Sequence, residues 1–180
     1  GYVIYYWQGS RSSSDDKVAS AVLAMKKNKE LGKKAIMVRV VEGFEPRHLL
    51  KIFKGKLVVY SGPKVGGVKE SRLFRIRGTF HGDIRATQMA ETASSLASDD
   101  AFILETSKAT YIWVGKGASE FERSTAQSVA KTLSPDRTAA VINEGSEPEE
   151  FWSALGGKQS YDNEIDPPGQ IRKKFRNNRN

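Results

Sequence analysis

Few side chains in this 180-residue sequence are placed to do chemistry, and those that are carry carboxylates. Cysteine is absent, which removes disulfides, thiolate metal sites and thiol nucleophiles together. The two histidines, His48 and His81, stand beside no Ser/Asp arrangement that would make either a general base, and His48 reads as a surface or packing residue. Lys64-Val65-Gly66-Gly67-Val68 is too irregular for a phosphate-cradling loop. Among the acids, Asp99-Asp100 stand ahead of an apolar strand, and Glu122 stands in the first turn of a helical pattern. A hairpin between them would fold the two sites back toward each other. Two carboxylates brought together in this way would begin the shell of about six to eight hard oxygens that calcium takes. The same residues also read as a turn and as a first-turn acid favoured by the helix dipole, and spacing alone does not choose.

The elements that would position these carboxylates come in two copies. Tyr6-Trp7-Gln8-Gly9 recurs 106 positions on as Ile112-Trp113-Val114-Gly115. Glu42-Gly43-Phe44-Glu45-Pro46 recurs 102 positions on as Glu144-Gly145-Ser146-Glu147-Pro148, and Gly55-Lys56 recurs as Gly157-Lys158 at the same offset. Matches kept in one order, with a single four-residue adjustment, define an internal repeat. In each copy an apolar strand ends in Trp-x-Gly and a Ser-rich turn leads into a long amphipathic helix. Ser14 or Asp15 is the expected cap in the first copy, with Val18, Ala21, Val22 and Met25 as the packed face. In the second copy the cap is Ser119, and Phe121, Ala126, Val129, Ala130 and Leu133 face the core. A β-branched strand follows (Ile36 to Val41, or Ala139 to Ile142), then a short helix with proline in its first turn, Pro46 to Phe53 or Pro148 to Leu155. Only the second copy has a front half: strands over Leu57–Tyr60 and Leu73–Arg77, a Gly/Lys-rich loop over Ser61–Glu70, and a hairpin of Ala101–Glu105 with Thr110–Val114. The expected class is α+β, a mostly antiparallel sheet with one long and one short helix. Residues 1–53 form the back part of one repeat, 54–162 a complete repeat, and 163–180 a basic linker or tail.

Net charge is +8 and unevenly placed, with eleven Lys or Arg against three Glu from Lys17 to Lys56 and five more basic residues in the tail. That surface favours polyanionic partners. Specific nucleic-acid binding is not expected, because the aromatics fall at core strand positions and not among the basic runs as stacking platforms. No stretch reaches the roughly 20 apolar residues of a membrane span, and the start GYVIYYWQG has no signal-peptide grammar. With no initiator Met, the sequence reads as a piece of something longer. The absence of cysteine suits a cytoplasmic setting.

The stretches TYIWVGKGASEFE, EGSEPEEFWSALGGK, YYWQGSRSSSDDKVASA and VVEGFEPRHLLKIFKGK together resemble the gelsolin/villin family of actin-binding proteins, from Gly1 to about Tyr161. The two copies look most similar to the fourth and fifth repeats of six-repeat members. The resemblance implies a gelsolin-like fold, a central five- to six-stranded mixed sheet between a long and a short helix. It also implies a cytoplasmic, cytoskeletal module of a protein that severs, caps or bundles actin filaments under calcium control, and that binds without catalysing. The implied calcium ligands are the Asp99 carbonyl with Asp100 and Glu122. Asp16, seven residues after Gly9 as Glu122 is after Gly115, is an orphan ligand of an incomplete first-copy site. The implied actin-docking element is the first long helix, about Ser14 to Leu31, with Ser14, Lys17, Ser20, Lys27 and Asn28 as contacts. Asn28 stands where relatives that share an ion with actin have an aspartate, so calcium bridging through the first copy is not expected. The alternative is an adaptor of the same fold using its basic clusters (Lys26–Lys34, Arg47–Lys56, Arg172–Arg179) on phosphoinositides, through Lys26, Lys33, Lys34, Lys51 and Lys54.

Overall fold

The computed structural model describes residues 1–61, 71–78 and 84–165. His81, the expected loop from residue 62 to 70 and the basic tail from residue 166 onward lie outside the described residues. The chain divides into two compact units, Gly1–Gly55 and Lys56–Asn180.

The first unit runs β1 (Tyr2–Gln8), α1 (Ser14–Glu30), β2 (Ala35–Val41) and α2 (Arg47–Ile52), with β1 and β2 parallel. The second runs β3 (Lys56–Val59), β4 (Ser71–Arg77), β5 (Ile84–Met89), β6 (Ala101–Thr106), β7 (Thr110–Val114), α3 (Glu120–Leu133), β8 (Ala140–Asn143) and α4 (Glu149–Ala154). Its six strands lie in the order β3-β5-β4-β6-β7-β8. The central pairings are antiparallel and the two outer ones parallel, so the sheet is mixed. Strand alternation sends Leu73, Phe102, Leu104 and Trp113 to one face, where Phe151, Trp152 and Leu155 cover them. Phe74, Ile76, Ile103 and Ile112 go to the other, against Ala126, Val129 and Ala130 of α3. The sheet therefore lies between a long and a short helix, as the resemblance implied. β5 was not anticipated. Its inward residues, Ile84, Ala86 and Gln88, alternate correctly, but Ala86 is too small and Gln88 too polar to mark a strand by hydrophobicity.

The repeat is reproduced residue for residue. Tyr6 pairs with Arg39 and Trp7 with Val40; at the two sequence offsets the counterparts are Ile112 with Val141 and Trp113 with Ile142. Both long helices open on a capping box, Ser13 with Asp16 and Ser119 with Glu122. The first cap is thus Ser13, not Ser14 or Asp15, because of these three Ser13 alone has an acid three positions on to reciprocate its hydrogen bond. Pro46 and Pro148 are N-caps in extended conformation, one step outside the helical turn where they were expected. An extended residue there lets the Pro carbonyl accept the first helical amides.

The packed face of α1 also differs from expectation. Only Ala24 of α1 is buried, whereas Val18, Val22 and Met25 are 62%, 50% and 54% exposed. At the 106-residue offset they correspond to Ser124, Ser128 and Lys131 of α3, positions that alternate with its buried Thr125, Ala126, Val129 and Ala130. Helical spacing finds an apolar stripe but does not say on which side the sheet lies. Leu23, the counterpart of buried Val129, is exposed as well, since a two-stranded sheet is too narrow to cover the helix.

Candidate functional site

The most specific repeat residues turn out to bond to one another. In the second unit, Glu147 Oε1 accepts from the Trp113 indole at 2.8 Å and from the Gly145 amide at 2.9 Å. In the first, Glu45 Oε1 accepts from Trp7 and from Gly43, each at 3.0 Å. Gly43 and Gly145 adopt φ of 86° and 93°, a conformation that costs glycine nothing. The first glutamate of the motif binds the amide that follows Trp-x-Gly: Glu42 to Ser10 at 2.6 Å, Glu144 to Lys116 at 2.8 Å. Glu144 also accepts from Ser98 Oγ at 2.8 Å and from Tyr161 at 3.1 Å. Burial, then the hydrogen bond to Glu144, pushes the Tyr161 hydroxyl up to about 12. The motif is therefore a clamp between strand end and helix entry, and it specifies the fold.

Residues 98–100 lie against the loop that leads into α3, and Glu122 lies in the first turn of that helix. The Gly117 amide donates to the Ser98 carbonyl at 2.8 Å and the Gly115 amide to the Asp100 carbonyl at 3.1 Å, which draws residues 98–100 against the loop entering the helix. Asp100 is fully buried and Asp99 nearly so. The β4–β6 register, with Ile76 opposite Ala101, brings Asp100 level with the arginine end of β4. Arg75 Nε donates to Asp100 Oδ2 at 2.6 Å, its Nη2 donates to the same oxygen, and Arg77 Nε lies 3.9 Å from Oδ1. Glu122 Oε2 accepts from the Ser119 amide and hydroxyl at 2.9 and 3.0 Å. Among the described residues, no three His, Asp or Glu side chains are grouped to hold a metal by themselves. The candidate set needs only two carboxylates, with the Asp99 carbonyl and further backbone or water oxygens. Its hard, buried oxygen donors fit calcium in kind, while the guanidiniums at Asp100 oppose a cation in charge.

Asp16, the counterpart of Glu122, caps α1 through the Ser13 amide and hydroxyl at 3.1 and 2.7 Å. The hydroxyl bond, then the amide bond, holds its carboxyl below the ordinary value. Of the expected actin contacts, Ser14, Lys17 and Lys27 are exposed, with Lys27 paired to Glu30 at 3.0 Å. Ser20 and Asn28 bond inward. Ser20 Oγ accepts from buried Gln8, which also donates to the Lys17 carbonyl, while Asn28 Oδ1 accepts from the Ala35 amide where β2 begins. Lys26, Lys33, Lys34, Lys51 and Lys54 are all exposed. His48 stacks at a tilt on Tyr5, with centroids 5.3 Å apart. The residues that sequence reasoning misplaced, Val18, Val22 and Met25, become legible once the two copies are aligned on Gly9 and Gly115.

A mixed sheet between a long and a short helix, with a strand-to-helix clamp repeated in two copies, defines a repeat module of the α+β class. The gelsolin repeat profile matches residues 1–50 and 84–152, and the chain belongs to that family. Cytoplasmic gelsolin of Homarus americanus is 46% identical over 171 residues, covering 89% of this chain and 23% of its own length. Gelsolins of Xenopus laevis and Gallus gallus are each 42% identical over 167 residues, covering 89% of this chain. They are matched over 40% and 21% of their own lengths, so the chain spans well under half of each of these relatives. A chain of the Thorarchaeota 2DGel3/rabbit actin complex aligns at 26% identity and a TM-score of 0.43, over 86% of this chain and 83% of that one. The family assignment stands without it.

Proposed function

We propose that this chain is an actin-binding module of a cytoplasmic filament regulator, docking through the outer face of α1. Family membership supports actin as the partner. The observation that carries the docking face is the exposed stripe of Val18, Val22 and Met25, spaced i, i+4 and i+7, where the other copy has Ser124, Ser128 and Lys131. Lys17 and Lys26 flank it and favour an acidic partner. Substituting Val22→Ser with Met25→Lys puts the α3 residues at two of these three positions. The double variant is expected to keep the wild-type melting temperature, since both positions are exposed, and to lose most co-sedimentation with filamentous actin. Undiminished pelleting would remove α1 from the interface. Pelleting with phosphoinositide vesicles but never with actin would instead favour the adaptor reading, in which the five exposed lysines hold the headgroups.

The second part of the proposal is calcium at the Asp99 carbonyl, Asp100 and Glu122. The ion would supply a counter-charge that ties the residue 98–100 loop to the first turn of α3. Calorimetry with calcium should give binding heat for the wild type and at least about a tenfold weaker constant for Glu122→Gln, which keeps the capping box but loses the charge. Absence of heat from the wild type would end the calcium reading and leave the actin test untouched.

A further inference from the structure

We propose that Arg75 is a built-in counter-cation for Asp100, so that calcium at this carboxylate must compete with a guanidinium. This rests on the calcium reading above and concerns what regulates that site. Asp100 is wholly buried, and a buried carboxylate without a counter-charge is strongly unfavourable. β4 meets that need from the neighbouring strand. Arg75 and Arg77 are two residues apart and share a face of the sheet, and Arg75 stands opposite Phe102 in the β4–β6 register. The Phe102 ring lies 5.9 Å from the guanidinium carbon and helps fix its place, and two donors of Arg75 meet one Asp100 oxygen. With Arg77 on the other oxygen side at 3.9 Å, the carboxylate faces two positive charges before any ion arrives.

Two consequences follow from this arrangement. The unit keeps its fold when the ion is withdrawn, because Asp100 returns to Arg75. Ion affinity is also lowered, since the ion must compete with a charge-assisted pair and sit as a dication near two guanidiniums. Deprotonating the arginine offers no way round this opposition, because arginine stays protonated throughout the range in which proteins fold. The exit route is on the same side. The Arg75 and Arg77 side chains retain 20% and 32% of their exposure while Asp100 retains none, so the arginines can turn toward solvent and the carboxylate cannot.

The test is calorimetry and thermal melting of the full chain, with calcium or with a chelator, for wild type, Arg75→Gln and Glu122→Gln. Arg75→Gln is expected to bind calcium at least about tenfold more tightly than wild type. It should melt lower than wild type in chelator and gain more from added calcium. Calcium binding by Arg75→Gln alone would also support the role of Arg75, while ending the wild-type calcium reading. Equal affinity of wild type and Arg75→Gln, with Glu122→Gln weakened, overturns the proposal and leaves that reading intact. No calcium heat from any variant removes both. If Arg75→Gln does not fold in either condition, Arg77→Gln carries the test. Tightening of about threefold supports the counter-cation and no change overturns it.

Discussion

Gly115→Ala is expected to unfold the second unit, while Gly9→Ala at the equivalent position of the first copy leaves its unit nearly unchanged. A Cβ on Gly115 would lie 2.9 Å from the Asp100 carbonyl oxygen, 2.6 Å from the Ser98 carbonyl carbon, and closer still to the oxygen of Ser98. These are backbone atoms, and they cannot move aside. The Gly115 amide bonds to Asp100, the Gly117 amide to the Ser98 carbonyl, and the Ser98 amide to the Asp162 carbonyl. Forcing a methyl group into a pinned contact costs about 3 kcal/mol or more, a large part of a domain's total stability. On Gly9 the nearest atom is the Ser12 hydroxyl oxygen at 3.1 Å, which a rotamer change removes, so the cost there is within about 1 kcal/mol. Thermal melts followed by near-ultraviolet circular dichroism would compare the two, and equal shifts would contradict the close-approach account.

Glu147→Ala should be the next most damaging change. It strips the acceptor from the indole of fully buried Trp113 and from the Gly145 amide together, at an expected cost of about 1–3 kcal/mol. Glu147→Gln keeps an acceptor oxygen and should lose less. Glu45→Ala should also lose less, because Trp7 is 36% exposed and water can replace the lost partner. Urea midpoints of the three variants would rank them.

The same carboxylate contributes a pH dependence. Burial acts to raise the Glu147 carboxyl, but the bonds from Trp113, from Gly145 and from its own backbone, together with Lys158, outweigh it and leave it below 4.5. A carboxylate lowered in the folded state binds protons more readily when unfolded. Its contribution is therefore fully present above about 4.5 and lost as pH falls through the lower folded value. Urea midpoints of wild type should fall between neutral pH and pH values below that range. Glu147→Gln should show a shallower fall. Equal slopes would show that the clamp carboxylate is not the group that titrates.

Which features could be read in advance depended on how far apart the interacting residues are. The repeat, the element order apart from β5, and the Ser119 cap were legible because strand alternation, helical spacing and turn chemistry act within a few residues. Glu-Gly-x-Glu-Pro and Trp-x-Gly were visible as motifs. That they form a clamp was not, because Trp113 and Glu147 meet only when β7 and β8 pair. The carboxylates at 99, 100 and 122 were legible as candidate ligands through the resemblance. Their neighbour Arg75 was not, since the β4–β6 register that sets it against Asp100 joins positions some 25 residues apart with no local signal.

By itself, then, the sequence determined that this protein is a repeat built from one strand–helix–strand–helix unit, and its resemblance to a family pointed to the carboxylates proposed for an ion. Tertiary structure decided two further things: that Val18, Val22 and Met25 face outward, and that Asp100 already holds an arginine. The physical reason is common to both. Side-chain periodicity reports an element's own geometry, whereas the side it turns to its neighbours, and the charge it meets there, are set by packing and strand register across the fold.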